Sequence, residues 1–447
     1  MKKQYKMVIA VFSVFFIIWI VHVLLNFGIT GYNQTACKVK DNINRYNEEI
    51  LTYEGTIVDR NGRTISFSNK KGESGIVELP AYHDLIGFSS RQFGSSGIRR
   101  RFHDELWQRD KKTDRGKEIK LTTDNYIQTV IYDQIKGRNA AGIVLLNETG
   151  EILGLCSSRE YMLDVNNMTA DSMEKANSVE EYYLPIYLKP TAPGSTMKTL
   201  TSIAILEENL QDITYNDIGV EKVNGYNIHN YAMKIYGNIT MEDALINSVN
   251  TYYAHMAVNY IDPFKLKDVC ERFLLNETIE LDFATLKSSH GFKDISKENI
   301  AASSFGQGKM NVTPLNMAMV GIGIQSGEVK IPHIIDSIDN KPYKVNNSAI
   351  FMEKNKTFKT SKNQVLKSLT EVMKKTAIKY GFPEAMGIAA KSGTAQVDNH
   401  SEKTRATLLT FNDKFTVVVV EDGYKDGGQL VNEVINIYKA LEKIDLE

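Results

Sequence analysis

Cysteine is scarce in this chain: three residues in 447, Cys37, Cys156 and Cys270. An odd, small number builds no disulfide framework, and no CxxC pair suggests a metal. No His/Cys/Asp spacing resembles a ligand set, so neither a metal nor another cofactor is expected. Net charge is also nearly absent, −1 at pH 7, so no global field recruits nucleic acid. One local basic stretch exists, Arg99-Arg100-Arg101 and then Arg109 to Lys120. Asp104, Glu105, Asp110, Asp114 and Glu118 are mixed into it. It reads as solvated surface or linker, with contact to an anionic wall polymer or lipid as the alternative. There is no internal repeat and no low-complexity tract.

What is present is an ordinary globular balance, 42% hydrophobic and 24% charged, in a chain long enough for two or three domains. Met7 to Phe27 is apolar except for Ser13, His22 and Asn26. That is about 20 residues, the span of a transmembrane helix. Lys2, Lys3 and Lys6 precede it, which predicts a cytoplasmic N-terminus and an external chain after Asn26. The length of the apolar run and the lack of an A-x-A-like site argue against a cleaved signal peptide. Three regions follow: 1–30 as tip and anchor, 31–118 as a short stalk and pedestal, and 119–447 as the main domain.

Within the pedestal, Glu54 to Ser66 reads as a hairpin around Asn61-Gly62. In the main domain, Gly142 to Leu146 and Ile152 to Leu155 form a second hairpin. A mostly helical stretch runs from Ser195 to about Lys379, with helical patterns at Thr196–Glu208, Met241–Tyr260, Pro314–Gln325 and Gln364–Lys379. Strands return at Gly387–Ala390, Ala406–Phe411 and Phe415–Glu421, and Val431–Leu441 closes as an amphipathic helix. Strands at both ends with helices between predict an α+β fold, one antiparallel sheet covered by helices, its N- and C-terminal strands side by side.

Three short motifs carry the chemistry, in this order: Ser195-Thr196-Met197-Lys198, Ser248-Val249-Asn250 and Lys391-Ser392-Gly393-Thr394. Ser195 opens a helix, where free N–H groups and the dipole favour negative charge. Lys198 shares its face three residues on. The pair describes a serine nucleophile with lysine as general base. The base must be a neutral amine, and burial or a second cation such as Lys391 would lower its pKa. Ser248 can relay a proton, and Asn250 can hold Lys198 and a substrate amide. Lys391 supplies charge, and Ser392 and Thr394 supply hydroxyls to a carboxylate. Gly393 admits a close backbone, and the N–H groups of Ser195 and Thr394 can form an oxyanion hole.

Singly these motifs prove little. Ser68-Asn69-Lys70-Lys71 and Ser172-Met173-Glu174-Lys175 also match the first, and Ser361-Lys362-Asn363 matches the second. Neither of the first two decoys is expected to open a helix with a buried face. A Ser-His-Asp hydrolase is disfavoured, because no G-x-S-x-G surrounds Ser195 and no histidine sits in the trio. His229 and His400 are expected in surface or structural roles.

From about Leu121 onward the chain resembles the transpeptidase domain of class B penicillin-binding proteins. Beyond the trio, Gly142 to Gly154, Phe305-Gly306-Gln307-Gly308 and Val312 to Ala318 look like family segments, and Gly55 to Gly62 looks like the start of the family's pedestal. The resemblance implies the penicillin-binding/β-lactamase-like fold and D,D-transpeptidation of peptidoglycan stem peptides ending in D-Ala-D-Ala. It also implies acylation by β-lactams and a glycosyltransferase partner. The compact form is similar to the small penicillin-binding-protein-A-like group of Gram-positive bacteria. Glu54 stands where relatives often carry arginine, and Arg405 to Phe411 lacks their aromatic-rich pattern. The alternatives are a D,D-carboxypeptidase or β-lactamase using water as acceptor, and a non-catalytic β-lactam sensor or scaffold.

Overall fold

The structure, a computed structural model, describes residues 53–68, 74–77, 79–90, 92–178, 184–343, 359–396, 404–423 and 426–445. The apolar segment Met7–Phe27, Cys37 and His400 lie outside the described residues. Among the described residues no helix is long and apolar enough to cross a membrane.

The main domain is built on five strands: β1 (Ala140–Leu146), β2 (Ile152–Ser158), β3 (Ala389–Gln396), β4 (Thr404–Phe411) and β5 (Phe415–Gly423). Their order is β3-β4-β5-β1-β2 and every pairing is antiparallel. The N-terminal hairpin and the C-terminal strands therefore lie side by side, as expected. The helices that position the site are α1 (Asn125–Ile135), α2 (Lys198–Glu207), α3 (Met241–Asn247), α4 (Asn250–Asn259), α5 (Pro314–Ser326), α6 (Asn363–Tyr380) and α7 (Val431–Leu441). Both faces of the sheet are covered. Val418 and Val420 point into the core beneath α5, while Val417 and Val419 point into the core beneath α1 and α7. That is why β5 reads as a continuous apolar run rather than an alternating one. Helix α5 is apolar all round because it is buried from Pro314 to Ile324. A Thr313/Asn316 capping box and Pro314 start it, and Gly327 at φ +80° stops it.

The pedestal hairpin forms, but not as a two-residue turn. Ile57–Val58 pairs with Thr64–Ser68, and only Gly62 takes a positive φ. The Gly62 N–H donates to the Asp59 carbonyl and the Asp59 N–H to the Arg63 carbonyl. This is a three-residue loop with glycine in the left-handed position. Ile119–Leu121 runs parallel to Ile57–Val58, and Ile335–Ile338 and Lys341–Pro342 extend the same six-stranded sheet.

Three expectations need correction. Arg99 is not a solvated side chain: it is buried, with Nε 2.9 Å from Glu54 Oε1. Burial raises the Glu54 pKa, and the Arg99 charge opposes that shift. This pairing gives the atypical Glu54 its partner. The stretch from Ser195 to Lys379 is less helical than its texture suggests. Three β-ribbons interrupt it: Tyr215–Asp217 with Gly237–Ile239, Val220–Val223 with Tyr226–His229, and Thr278–Glu280 with Thr285–Lys287. The pattern Met241–Tyr260 is two helices broken at Ser248.

Candidate active site

Three segments meet at the free edge of β3. Gly194, at φ +57°, turns the chain into a 3-10 turn, Gly194–Met197, which runs into α2. Ser195 is half-buried there and Lys198 is fully buried. The Lys198 amine lies 2.9 Å from Ser195 Oγ. Ser248 sits between α3 and α4 with φ 57° and ψ 43°, a left-handed conformation that costs a non-glycine residue about 1–2 kcal/mol. In return, both its oxygens face Lys198, the carbonyl at 2.6 Å and the hydroxyl at 3.1 Å. Lys391, from the middle of β3, reaches the same hydroxyl at 3.1 Å and the Ser392 carbonyl at 2.9 Å.

Hydrogen-bond accounting fixes what Lys198 can do. Asn250 Oδ1 lies 2.7 Å from its amine. The orientation of that amide follows from the other end, where Nδ2 donates to the His229 carbonyl at 2.9 Å. Asn250 Oδ1 and the Ser248 carbonyl can only accept. They take two N–H bonds of Lys198, the full complement of a neutral amine. The lone pair is then left for the Ser195 hydroxyl. The protonation state fits: burial, and after it the nearby Lys391 charge, push the Lys198 pKa well below its ordinary value.

Packing holds these segments in register. A Cβ on Gly194 would lie 2.7 Å from the Thr394 carbonyl oxygen, and one on Gly306 only 1.8 Å from the Gly194 oxygen. The Gly194 N–H donates to the Gly306 carbonyl at 2.9 Å. The Phe305–Gly308 stretch therefore braces the nucleophile from behind. Gly393 also admits a close backbone, but the neighbour it admits is Pro193, whose oxygen would be 2.8 Å from a Cβ there. Its partner is the nucleophile segment itself.

All eight expected site residues thus come to one cleft: Ser195, Lys198, Ser248, Asn250, Lys391, Ser392, Gly393 and Thr394. Asn69, Lys70 and Lys71 of the first decoy lie outside the described residues, and Ser361 of the third turns its hydroxyl to Glu207. Thr169 caps the helix Ala170–Asn177, which buries Met173 and Ala176, and Ser172 sits in its first turn with Oγ accepting from the Thr169 N–H. Thr169, not Ser172, opens that helix, and Lys175 lies over the Tyr161 ring instead of near the serine. His229 contributes only its carbonyl, in keeping with a structural role. Among the described residues, no group of three or more His, Cys, Asp or Glu side chains could hold a metal ion.

Four residues escaped motif reasoning. The Asp217 carboxylate accepts from the N–H groups of Gly219 and Tyr236, from Asn230 Nδ2 and from Thr251 Oγ1. Asn230 Oδ1 in turn accepts from the Thr251 N–H at 3.1 Å. Asp217 and Asn230 thus lock the ribbon to the start of α4 beside Asn250. Buried Arg405 forks onto both Asp422 oxygens at 2.5 and 2.8 Å and donates to the Lys189 carbonyl at 2.8 Å. It ties β4 and β5 to the lead-in of the nucleophile. Tyr380, the last residue of α6, places its hydroxyl 2.8 Å from Ser392 Oγ.

Comparison with known proteins agrees with this geometry. The family model of the penicillin binding protein transpeptidase domain matches residues 140–437. Penicillin-binding protein 3 of Bacillus subtilis is 26% identical over 314 residues, covering 67% of this chain and 45% of the relative. The peptidoglycan D,D-transpeptidase MrdA of Haemophilus influenzae is 24% identical over 418 residues, covering 85% and 63%. The chain thus spans 45% to 63% of the length of these curated relatives. Among solved structures, penicillin-binding protein A of Mycobacterium tuberculosis superposes with a TM-score of 0.76 at 20% identity, covering 88% of this chain and 100% of the other. That same protein has been solved as an imipenem acyl-enzyme complex, with a TM-score of 0.76 at 19% identity, covering 89% and 100%. With two thirds of its length inside the family model and a serine–lysine centre at the sheet edge, the chain belongs to the class B penicillin-binding proteins, through their transpeptidase domain.

Proposed function

We propose that this protein is a peptidoglycan D,D-transpeptidase working through a Ser195 acyl-enzyme. The observation that carries this reading is the Lys198 amine, buried and with both N–H bonds committed to acceptors, its lone pair free for Ser195 Oγ at 2.9 Å. Lys198 takes the hydroxyl proton as Ser195 Oγ attacks the carbonyl of the penultimate D-Ala. The N–H groups of Ser195 and Thr394 receive the oxyanion. As the C–N bond breaks, Ser248 Oγ gives its proton to the departing D-Ala amine and regains one from Lys198, 3.1 Å away. Asn250 holds the amine and a substrate amide. Lys391 and the hydroxyls of Ser392 and Thr394 receive the terminal carboxylate. An amine from a second stem peptide then attacks the acyl group, its proton returns along the same route, and Ser195 is released.

The same reading carries the N-terminal segment as a single-pass anchor, the cytoplasmic tip at 1–30, the pedestal at 31–118, and an external catalytic domain at 119–447 that works beside a glycosyltransferase. β-Lactams, whose acyl-enzyme is known for the M. tuberculosis neighbour, enter as carboxylate-bearing mimics of the stem peptide. Labelling with a fluorescent penicillin tests the proposal. The wild type gives a stable covalent band, and Ser195→Ala gives none. A band that survives in the variant means the nucleophile is wrong. A band that forms and decays within a minute moves the reading to hydrolysis, with water as the acceptor.

A further inference from the structure

Two lysines beside the cleft belong to no motif. On helix α6, Lys374 and Lys375 pair with Glu371 and Glu242 at 3.0 and 2.5 Å. Lys379, one turn further on, has no carboxylate partner among the described residues. Its amine donates to Asn247 Oδ1 at 2.5 Å and to the Ile246 carbonyl at 3.4 Å. Both acceptors are neutral, and they lie at the end of α3, just before Ser248. The Asn247 amide is oriented from its other end, where Nδ2 donates to the Asp243 carbonyl at 2.8 Å.

Lys234 comes from the loop between the ribbons. It follows Ala232 and Met233, both in the left-handed region at φ 54° and 55°, which costs a non-glycine residue free energy. Asn230 Nδ2 donates to the Lys234 carbonyl at 3.0 Å, and Asn230 adjoins His229, whose carbonyl receives Asn250. The bent and tied loop leaves Lys234 exposed near the second motif, again with no carboxylate partner among the described residues.

Three positive charges thus collect around one stretch of chain. Lys379 attaches at residues 246 and 247, Lys391 at Ser248, and Lys234 at Asn230. They act on one another. Burial pushes the Lys379 pKa down, Tyr380 opposes that, and the Lys234 and Lys391 charges add to the downward push. Like charges held together without a counter-ion attract an anion between them. Lys391 serves the terminal carboxylate of the substrate. Lys234 and Lys379 are exposed, and both attach beside Asn250, the residue that holds an amide of the acyl portion.

We infer that Lys234 and Lys379 form a second carboxylate site at the mouth of the cleft, which favours acyl donors with a free carboxylate on the acyl side of the scissile bond. This deepens the transpeptidase reading and rests on it, because the site is defined relative to acylation of Ser195. A stem peptide with an acidic residue ahead of its D-Ala-D-Ala end fits the site, and one amidated there does not.

The test uses the full chain and two probes, a penicillin with a carboxylate on its side chain and the same penicillin with that group as its amide. Acylation rate at low salt is the readout, and it concerns the donor alone because no acceptor is present. Wild type should react about tenfold faster with the carboxylate probe, roughly threefold for each lysine, the scale of an exposed ion pair. Added salt should erode that preference. Lys234→Gln and Lys379→Gln should each lose about threefold with the carboxylate probe and nothing with the amide, and the double variant should react equally with both. Lys375→Gln, on the same helix but paired with Glu242, should keep the full preference. A wild type without preference, or one whose preference ignores salt, would overturn the inference. So would variants that slow both probes alike, because the lysines would then merely support α3 and the loop. A Lys375→Gln variant as weakened as Lys379→Gln would also overturn it, by showing a general field instead of a site. In all these cases labelling by a fluorescent penicillin leaves the transpeptidase reading standing. A wild type that no penicillin labels overturns that reading, and this inference with it.

Discussion

Lys391 and Lys198 both touch the Ser248 hydroxyl at 3.1 Å, so two lysines share one serine. Each plays a different part because their partners differ. Lys198 meets acceptors that a neutral amine can satisfy. Lys391 supplies a charge beside it, and that charge, after burial, disfavours protonation of Lys198. Removing the charge with Lys391→Gln should therefore raise the Lys198 pKa. The acidic limb of the acylation rate should move to higher pH by about one unit. A pH series of penicillin labelling reads the shift. A rate that drops with its acidic limb unmoved would restrict Lys391 to substrate binding. Arg405 shows the same logic without chemistry: a fully buried guanidinium persists because Asp422 and the Lys189 carbonyl satisfy it.

The break between α3 and α4 is the element on which the site turns. Ser248 holds a left-handed conformation that favours glycine. Ser248→Gly relieves this strain and removes the relay, so the two effects separate. The Gly variant should melt near wild type and above Ser248→Ala, while both are labelled on the order of a hundredfold more slowly. A Gly variant melting well below the Ala variant would show that the turn is not strained. This break also marks how far local pattern reaches. Helices α6 and α7 were legible because each buries one face at helical spacing, while α5 and the strands β1, β2, β4 and β5, buried on both sides, stand out as apolar-rich runs. The turn at Ser248 carries no glycine or proline, so Met241–Tyr260 reads as one helix. The ribbons between Tyr215 and Ile239 have strands of three or four residues, too short for a period. The catalytic trio was legible from residue chemistry in order. Asp217, Asn230, Arg405 and Tyr380 were not, because their roles come from partners brought together by the fold. Asp217 meets Thr251 from 34 residues away, and Arg405 meets Lys189 from 216.

Across the whole molecule, the five-stranded sheet is buried on both faces, and its free edge β3 is where chemistry becomes possible. The pedestal is not a separate bead. Its sheet takes in Ile119–Leu121 and Ile335–Ile338, and the buried pair Glu54–Arg99 fastens it internally. At this scale the Lys198 amine has an effect unrelated to acyl transfer. In the unfolded chain this lysine is protonated at any pH below its ordinary value of 10.5, whereas in the fold its pKa lies well below that. Between the two values the unfolded state binds more protons, so stability rises with pH there. Below the folded pKa and above 10.5 the two states bind equally and the slope vanishes. At about pH 9, unfolding of the wild type should take up roughly one proton more than unfolding of Lys198→Met. Calorimetry in buffers of different ionisation heat measures that difference, and equal uptake would refute it. The protein assembles its base by discarding a proton as it folds, so the free energy that keeps this amine ready for Ser195 is drawn from the stability of the whole domain.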